Sequence, residues 1–179
     1  ITRYLEGGLG LPVNKDKSKI APIKDVGFLG FQILRGKLRV SNGAREKFKR
    51  KVRELTKRNN PLSMKEVIQA LNEYLAGLVV YFRIQEFRQL FRHLDEWVRS
   101  RLRSIQLKKW KNPVKFQRAM IRAGYNPAEA RKTRVKMDRW QSVERKEVLF
   151  TLNLKWFKRQ GLIFLNEYTN RALELPFTY

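Results

Sequence analysis

Leu94-Asp95-Glu96-Trp97-Val98-Arg99-Ser100-Arg101-Leu102-Arg103 carries two messages at once. Leu94, Trp97, Val98 and Leu102 recur three and four positions apart, the spacing of one buried helical face. Arg99, Arg101 and Arg103 fill the positions between them. Followed outward, the apolar spacing begins at Phe87, Leu90 and Phe91 and continues through Ile105 to about Trp110, with Arg88, Arg92, Lys108 and Lys109 interleaved. At 1.5 Å per residue such a helix is ~35 to 40 Å long. The pattern predicts one face in a core and a cationic ridge in solvent, and it makes Arg99, Arg101 and Arg103 exposed.

The whole chain extends that cationic message. Its 179 residues hold 40 Lys plus Arg against 16 Asp plus Glu, a formal net charge of +24. Such an imbalance is self-repulsive unless a polyanion offsets it. Nucleic acid is the favoured partner, because each phosphate neutralised also releases counterions. An anionic membrane surface is the competitor. No apolar run approaches the ~20 residues of a membrane span, so no membrane partner is expected. The apolar fraction of 42% and aromatic fraction of 12% are those of a folded domain, not of a basic tail. There is no cysteine, which excludes disulfides, thiolate zinc sites and a cysteine nucleophile and fits a cytosolic or nucleoid location. The one histidine, His93, excludes a His-rich metal site and a His-based triad. Asp95 and Glu96 are adjacent and point to different sides of a helix, while Asp16, Asp25 and Asp138 stand alone. No metal site and no cofactor is therefore expected in this chain.

Around the long helix the other elements follow. Residues 1–11 read as the end of a helix stopped by Gly7-Gly8, and Lys19 to Ile23 as a short strand. Val26 to Ile33 reads as a strand with two glycines, Arg35-Gly36 as a turn, and Lys37 to Val40 as the returning strand of a hairpin. Ser41 or Asn42 caps a helix with Phe48, Val52 and Leu55 inside, ended by Asn59-Asn60-Pro61. Ser63 and Glu66 have capping-box spacing, opening a helix with Val67, Ile68, Leu71, Tyr74, Leu75, Leu78 and Val79 on one stripe. Asn112-Pro113 and Asn126-Pro127 are further helix starts; 144–160 is amphipathic, and Ile163 to Tyr168 is a final short helix. The fold class is mainly α with a small N-terminal β-hairpin. Its divisions are 1–40, 41–112 and 113–179.

Nine Lys or Arg and no acid lie between Arg99 and Ala128: Arg99, Arg101, Arg103, Lys108, Lys109, Lys111, Lys115, Arg118 and Arg122. All nine are candidate nucleic-acid contacts. A second block supplies Arg45, Lys49, Arg50, Arg53 and Lys57. Trp97, Trp110 and Trp156 keep helical spacing with other apolar residues and read as core rather than as base-stacking platforms.

Leu11-Pro12-Val13-Asn14-Lys15-Asp16-Lys17-Ser18, followed by Phe28-Leu29-Gly30-Phe31, resembles the end of the palm of group II intron reverse transcriptases. Glu66-Val67-Ile68, Leu75-Ala76-Gly77, Tyr81-Phe82-Arg83, the Leu94 to Arg103 stretch and Lys109-Trp110-Lys111 resemble that family's maturase, or X, segment, which forms the thumb. Residues 113–168 resemble the short C-terminal region of bacterial class C members, with Gln160-Gly161-Leu162 and Tyr168 its clearest marks. The resemblance implies a palm remnant at 1–40, a helical thumb at 41–112 and a small helical DNA-binding-like region at 113–179. It implies partners as well: structured intron RNA, an RNA template–DNA primer duplex and, further, target DNA. The implied roles are splicing, reverse transcription and retrohoming, in the bacterial cytosol or nucleoid.

By position Phe28, Leu29, Gly30 and Phe31 match the primer grip. Asn14 and Lys17 match a palm segment near the incoming nucleotide; a solvated turn lysine is the equal alternative for Lys17. The parent enzyme would be an RNA-directed DNA polymerase using Mg²⁺. The family's Tyr-x-Asp-Asp turn lies before the segment this chain begins with, so the chain alone is expected to be inactive. Its start at Ile1 reads as that of a piece of something longer. Two further readings stay open: a free-standing RNA-binding splicing cofactor, and a related reverse transcriptase serving CRISPR adaptation or DNA repair.

Overall fold

A computed structural model describes residues 2–14, 22, 26–81, 88–136 and 139–167. The expectations for Lys17, the strand at Lys19 to Ile23, Phe82-Arg83, Phe87 and Tyr168 lie outside these residues. The chain is mainly helical with one small antiparallel sheet, and it forms two compact units, Ile1–Arg45 and Glu46–Tyr179.

The first unit holds helix α1 (Thr2–Gly8) and strands β1 (Gly27–Phe28), β2 (Phe31–Leu34) and β3 (Lys37–Val40) in the order β1-β2-β3. One long strand over 26–33 does not form. Leu29 (φ 49°) and Gly30 (φ 76°) both take positive φ and reverse the chain between Phe28 and Phe31, which pair directly. Two successive positive φ angles belong to the tight hairpin turn whose twist matches its strands. Arg35 (φ 52°) and Gly36 (φ 73°) repeat the device between Leu34 and Lys37. The expected hairpin is therefore a three-stranded meander, and its first turn displays Phe28 and Leu29 to solvent.

Helix α2 (Asn42–Leu55) is capped by Ser41, whose Oγ accepts from the Ala44 N–H at 3.2 Å. Phe48 and Val52 are its buried residues. Helix α3 (Met64–Tyr81) opens with the predicted capping box: the Ser63 N–H donates to Glu66 Oε2 at 2.7 Å and the Glu66 N–H to Ser63 Oγ at 3.3 Å. Those hydrogen bonds, the Ser63 hydroxyl first, hold the Glu66 carboxyl below its usual range. Val67, Ile68, Leu71, Leu75 and Val79 of α3 are buried as the spacing requires.

Helix α4 (Arg88–Trp110) is the centre of the second unit. Phe91, Leu94, Val98, Leu102 and Ile105 form its expected stripe, but Arg103, Ser104 and Leu107 are buried too. At 100° per residue, Ser104 and Leu107 point roughly 120° to 180° away from Val98. The turn from Leu102 to Leu107 is thus covered on two opposite faces, with Gln106 left half-buried. Against it lie α5 (Pro113–Arg122) and a 3₁₀ helix (Trp140–Glu144); α6 (Pro127–Lys132) packs on α5, α7 (Lys146–Thr151) packs on α5 and the 3₁₀ helix, and α8 (Leu154–Arg159) follows. Phe116, Met120, Val143, Val148, Leu152 and Phe157 bring the apolar surface of these elements into the same core.

Asn112 and Asn126 cap α5 and α6 with proline following each, as predicted. The amphipathic stretch 144–160 breaks where the sequence reading has it continuous. Asn153 Oδ1 accepts from the Trp156 N–H at 3.0 Å, starting α8 afresh, and Leu152 leaves helical geometry (φ −102°, ψ 56°).

Three polar groups fasten later parts of the chain to α3 and α4. Asn72 donates from Nδ2 to Gly161 O at 2.7 Å and accepts from the Ile163 N–H at 2.9 Å. The Asp95 carboxylate accepts from the N–H groups of Leu165 and Asn166 at 2.9 and 3.1 Å, capping the helical turn at 165–167. Ser100 donates to Glu144 Oε1 at 3.0 Å. Most of the expected 41–112 thumb, from Glu46 onward, lies in the second compact unit together with the described part of 113–179.

Candidate nucleic-acid interface

The nine cations of the acid-free stretch divide into two groups. Arg103 is buried, contrary to the expected ridge, because the segment after Pro113 covers the back of α4. Its Nε donates to Leu152 O at 3.1 Å, a carbonyl orphaned at the end of α7, and its guanidinium lies 5.6 Å from the Phe157 ring centroid. Burial, then the Arg99 charge, pulls its pKa down to about 10, so it stays protonated at neutral pH.

Arg101 is half-buried and works as a C-cap for α2. Its Nε donates to Thr56 Oγ1 at 2.6 Å and its NH2 nitrogen to Thr56 O at 3.0 Å. The guanidinium sits 5.5 Å from the Trp97 ring and 5.8 Å from the Trp140 ring. Burial, then the neighbouring Arg53, lowers its pKa. Arg99 is half-buried, 5.7 Å from the Phe164 ring. Lys108 donates to Asn59 Oδ1, and Lys109 to Leu62 O, so both hold the loop before α3.

Lys111, Lys115, Arg118 and Arg122 remain exposed. The last three line one side of an open cleft of about 450 Å³, which Arg159 of α8 completes from the other. Trp110 and Trp156 form half-buried walls, Gln106 adds an amide, and no acidic residue lines it. The two indoles are braced from behind: Trp110 meets Phe116 at 5.5 Å and Trp156 meets Phe157 edge-on at 5.0 Å. Both tryptophans were expected in the core, and Arg159 was not among the expected candidates. Its distance in sequence from α5 hides it, and only the fold of α7 and α8 brings it alongside.

On α2, Arg45, Arg50, Arg53 and Lys57 are exposed and Lys49 is half-buried. Lys49 pairs with Glu46 at 3.0 Å and Arg53 reaches the same carboxylate at 3.9 Å; exposed pairs of this kind are weak and readily exchanged for phosphate. Asn14 is exposed, as are Phe28 and Leu29, while Gly30 and Phe31 are half-buried.

Residues 45–124 match the family model of the group II intron maturase-specific domain. That segment is similar to a group II intron maturase domain. The match indicates a maturase role consistent with splicing and implies intron RNA binding. The match ends at Gly124 and so includes α5 with Lys115, Arg118 and Arg122 but not α8 with Arg159. No curated protein sequence matches the chain. Among the described residues no helix is long and apolar enough to cross a membrane, and no three His, Cys, Asp or Glu side chains gather as metal ligands.

Proposed function

We propose that this chain is the nucleic-acid-gripping C-terminal part of a group II intron reverse transcriptase and maturase. In this reading it holds intron RNA during splicing and the template–primer duplex during reverse transcription and retrohoming, in the bacterial cytosol or nucleoid. The observation that carries it is the cleft: Lys115, Arg118, Arg122 and Arg159 converge without a single lining carboxylate. Four cations held so close repel one another unless a polyanion lies between them. Exposed cations on α2 offer a second positive surface. The Phe28 to Phe31 turn serves as the primer grip, and target DNA is a further partner. Mg²⁺ for polymerisation belongs to palm carboxylates outside this chain.

The test is RNA binding across a salt series. Contact with ~6 phosphates gives a log–log slope of about −5. A flat dependence overturns the electrostatic reading. Lys115→Glu, Arg118→Glu and Arg122→Glu together should weaken binding at least tenfold while the chain melts as before.

A further inference from the structure

The cleft between α5 and α8 is built for more than phosphate. A site meant only to track a backbone needs cations on a surface, and the exposed face of α2 already has that form. Here the cations rim a concave space with two aromatic walls. The rings of Trp110 and Trp156 are half-exposed, although each is anchored on a phenylalanine of the core. Phe116 and Phe157, the rings they pack on, are fully buried. The space of about 450 Å³ falls in the range of small-molecule sites. It would not admit a helix, since a duplex presents its bases stacked and its phosphates on a convex surface. One nucleotide turned out of the stack has the matching parts: a flat π-face, a base edge with donors and acceptors, and a flanking phosphate.

We propose that this cleft takes a single unpaired nucleotide of the bound RNA, with its base against the indole walls. Lys115, Arg118, Arg122 and Arg159 hold the phosphates on either side of it. The Gln106 amide, which lines the cleft and offers both donor and acceptor, meets the base edge. The inference rests on the RNA-binding reading above and adds to it the form of RNA that is held. It makes the maturase domain a reader of bulged or looped nucleotides instead of a general binder of helical RNA.

Two RNA hairpins of equal length decide it, one fully paired and one with a single bulged adenosine, each labelled with fluorescein. The wild-type chain should bind the bulged hairpin about tenfold more tightly, the size of one base–aromatic stack. Trp156→Leu and Trp110→Leu should each erase most of that preference while affinity for the paired hairpin holds. Trp156→Phe, which keeps a π-face, should retain most of it. With 2-aminopurine at the bulged position, wild-type chain should quench its fluorescence more than the double Leu variant does. If the Leu variants fail to fold, the wild-type preference for the bulged hairpin and its retention in Trp156→Phe decide alone. Equal binding of the two hairpins with a steep salt dependence overturns the nucleotide pocket and leaves the RNA-binding reading standing. No binding to either hairpin overturns both.

Discussion

Arg103 should be a residue the fold depends on, and its replacement by alanine measures how much. The guanidinium is buried, donates to Leu152 O and stacks on Phe157. Truncation leaves that carbonyl without a partner, which costs ~1–3 kcal/mol. The lost cation–π contact adds ~1 kcal/mol. Against this, a buried charge no longer has to be desolvated, and that term recovers part of the loss. The cavity left by the side chain tips the balance further toward instability. A net destabilisation of about 2–4 kcal/mol is expected, or roughly 6–12 °C in Tm at ~3 °C per kcal/mol. Arg103→Met fills the cavity and removes the charge, so it should recover about half of that. The assay is urea and thermal unfolding followed by far-ultraviolet circular dichroism on the whole chain. An Arg103→Ala chain as stable as the wild type, with lower RNA affinity, would refute the buried role and restore the solvent-facing ridge.

Arg101→Ala should cost about 1–2 kcal/mol by freeing Thr56 Oγ1 and Thr56 O at the end of α2, and Arg101→Lys should not rescue it, because lysine cannot reach two acceptors in a fork. Asp95 should make stability pH-dependent. Burial, opposed by the two N–H bonds, pushes its pKa up to about 6 from an ordinary 3.8. The folded state then holds a proton that the unfolded state has released, so this contribution is fully present below about pH 4 and is lost as pH rises through about 6. Unfolding midpoints should therefore show a fall across that window, and Asp95→Asn should flatten it; an unchanged slope in the variant counts against Asp95 as its source.

The helix map was legible where one residue's chemistry settles it. Asn112-Pro113, Asn126-Pro127 and the Ser63–Glu66 box each satisfy orphan N–H groups locally, so no tertiary knowledge is needed to read them. The three-stranded meander was half legible. Gly36 and Gly30 mark where φ turns positive, but the residue before each, Arg35 or Leu29, resists that conformation and masks the turn. The break at Asn153 was hidden by apolar spacing that continues straight across it. For the site, Lys115, Arg118 and Arg122 were named from the acid-free cationic run, and the structure leaves all three exposed. The burial of Arg103 did not follow, because it depends on a segment that packs from the far side. Leu107 was the available signal: an apolar residue off the stripe means a second covered face.

That second face changes what the net charge of +24 means. A count of cations treats each as available to phosphate, yet the most buried of them serves the protein itself. Arg103 holds Leu152, and Leu152 is the joint between α7 and α8. Directly after that joint come Trp156 and Arg159, two of the groups that complete the cleft. The same guanidinium stacks on Phe157, the ring that braces Trp156. An internal cation therefore aims an external one. The sequence interval that looked like a single basic ridge is better understood as two layers, one binding carbonyls and rings inside so that the other can present Lys115, Arg118, Arg122 and Arg159 to a common space. On the proposed reading, the outer layer is where the acid-free composition matters. A carboxylate lining the cleft would compete with phosphate for Lys115, Arg118, Arg122 and Arg159.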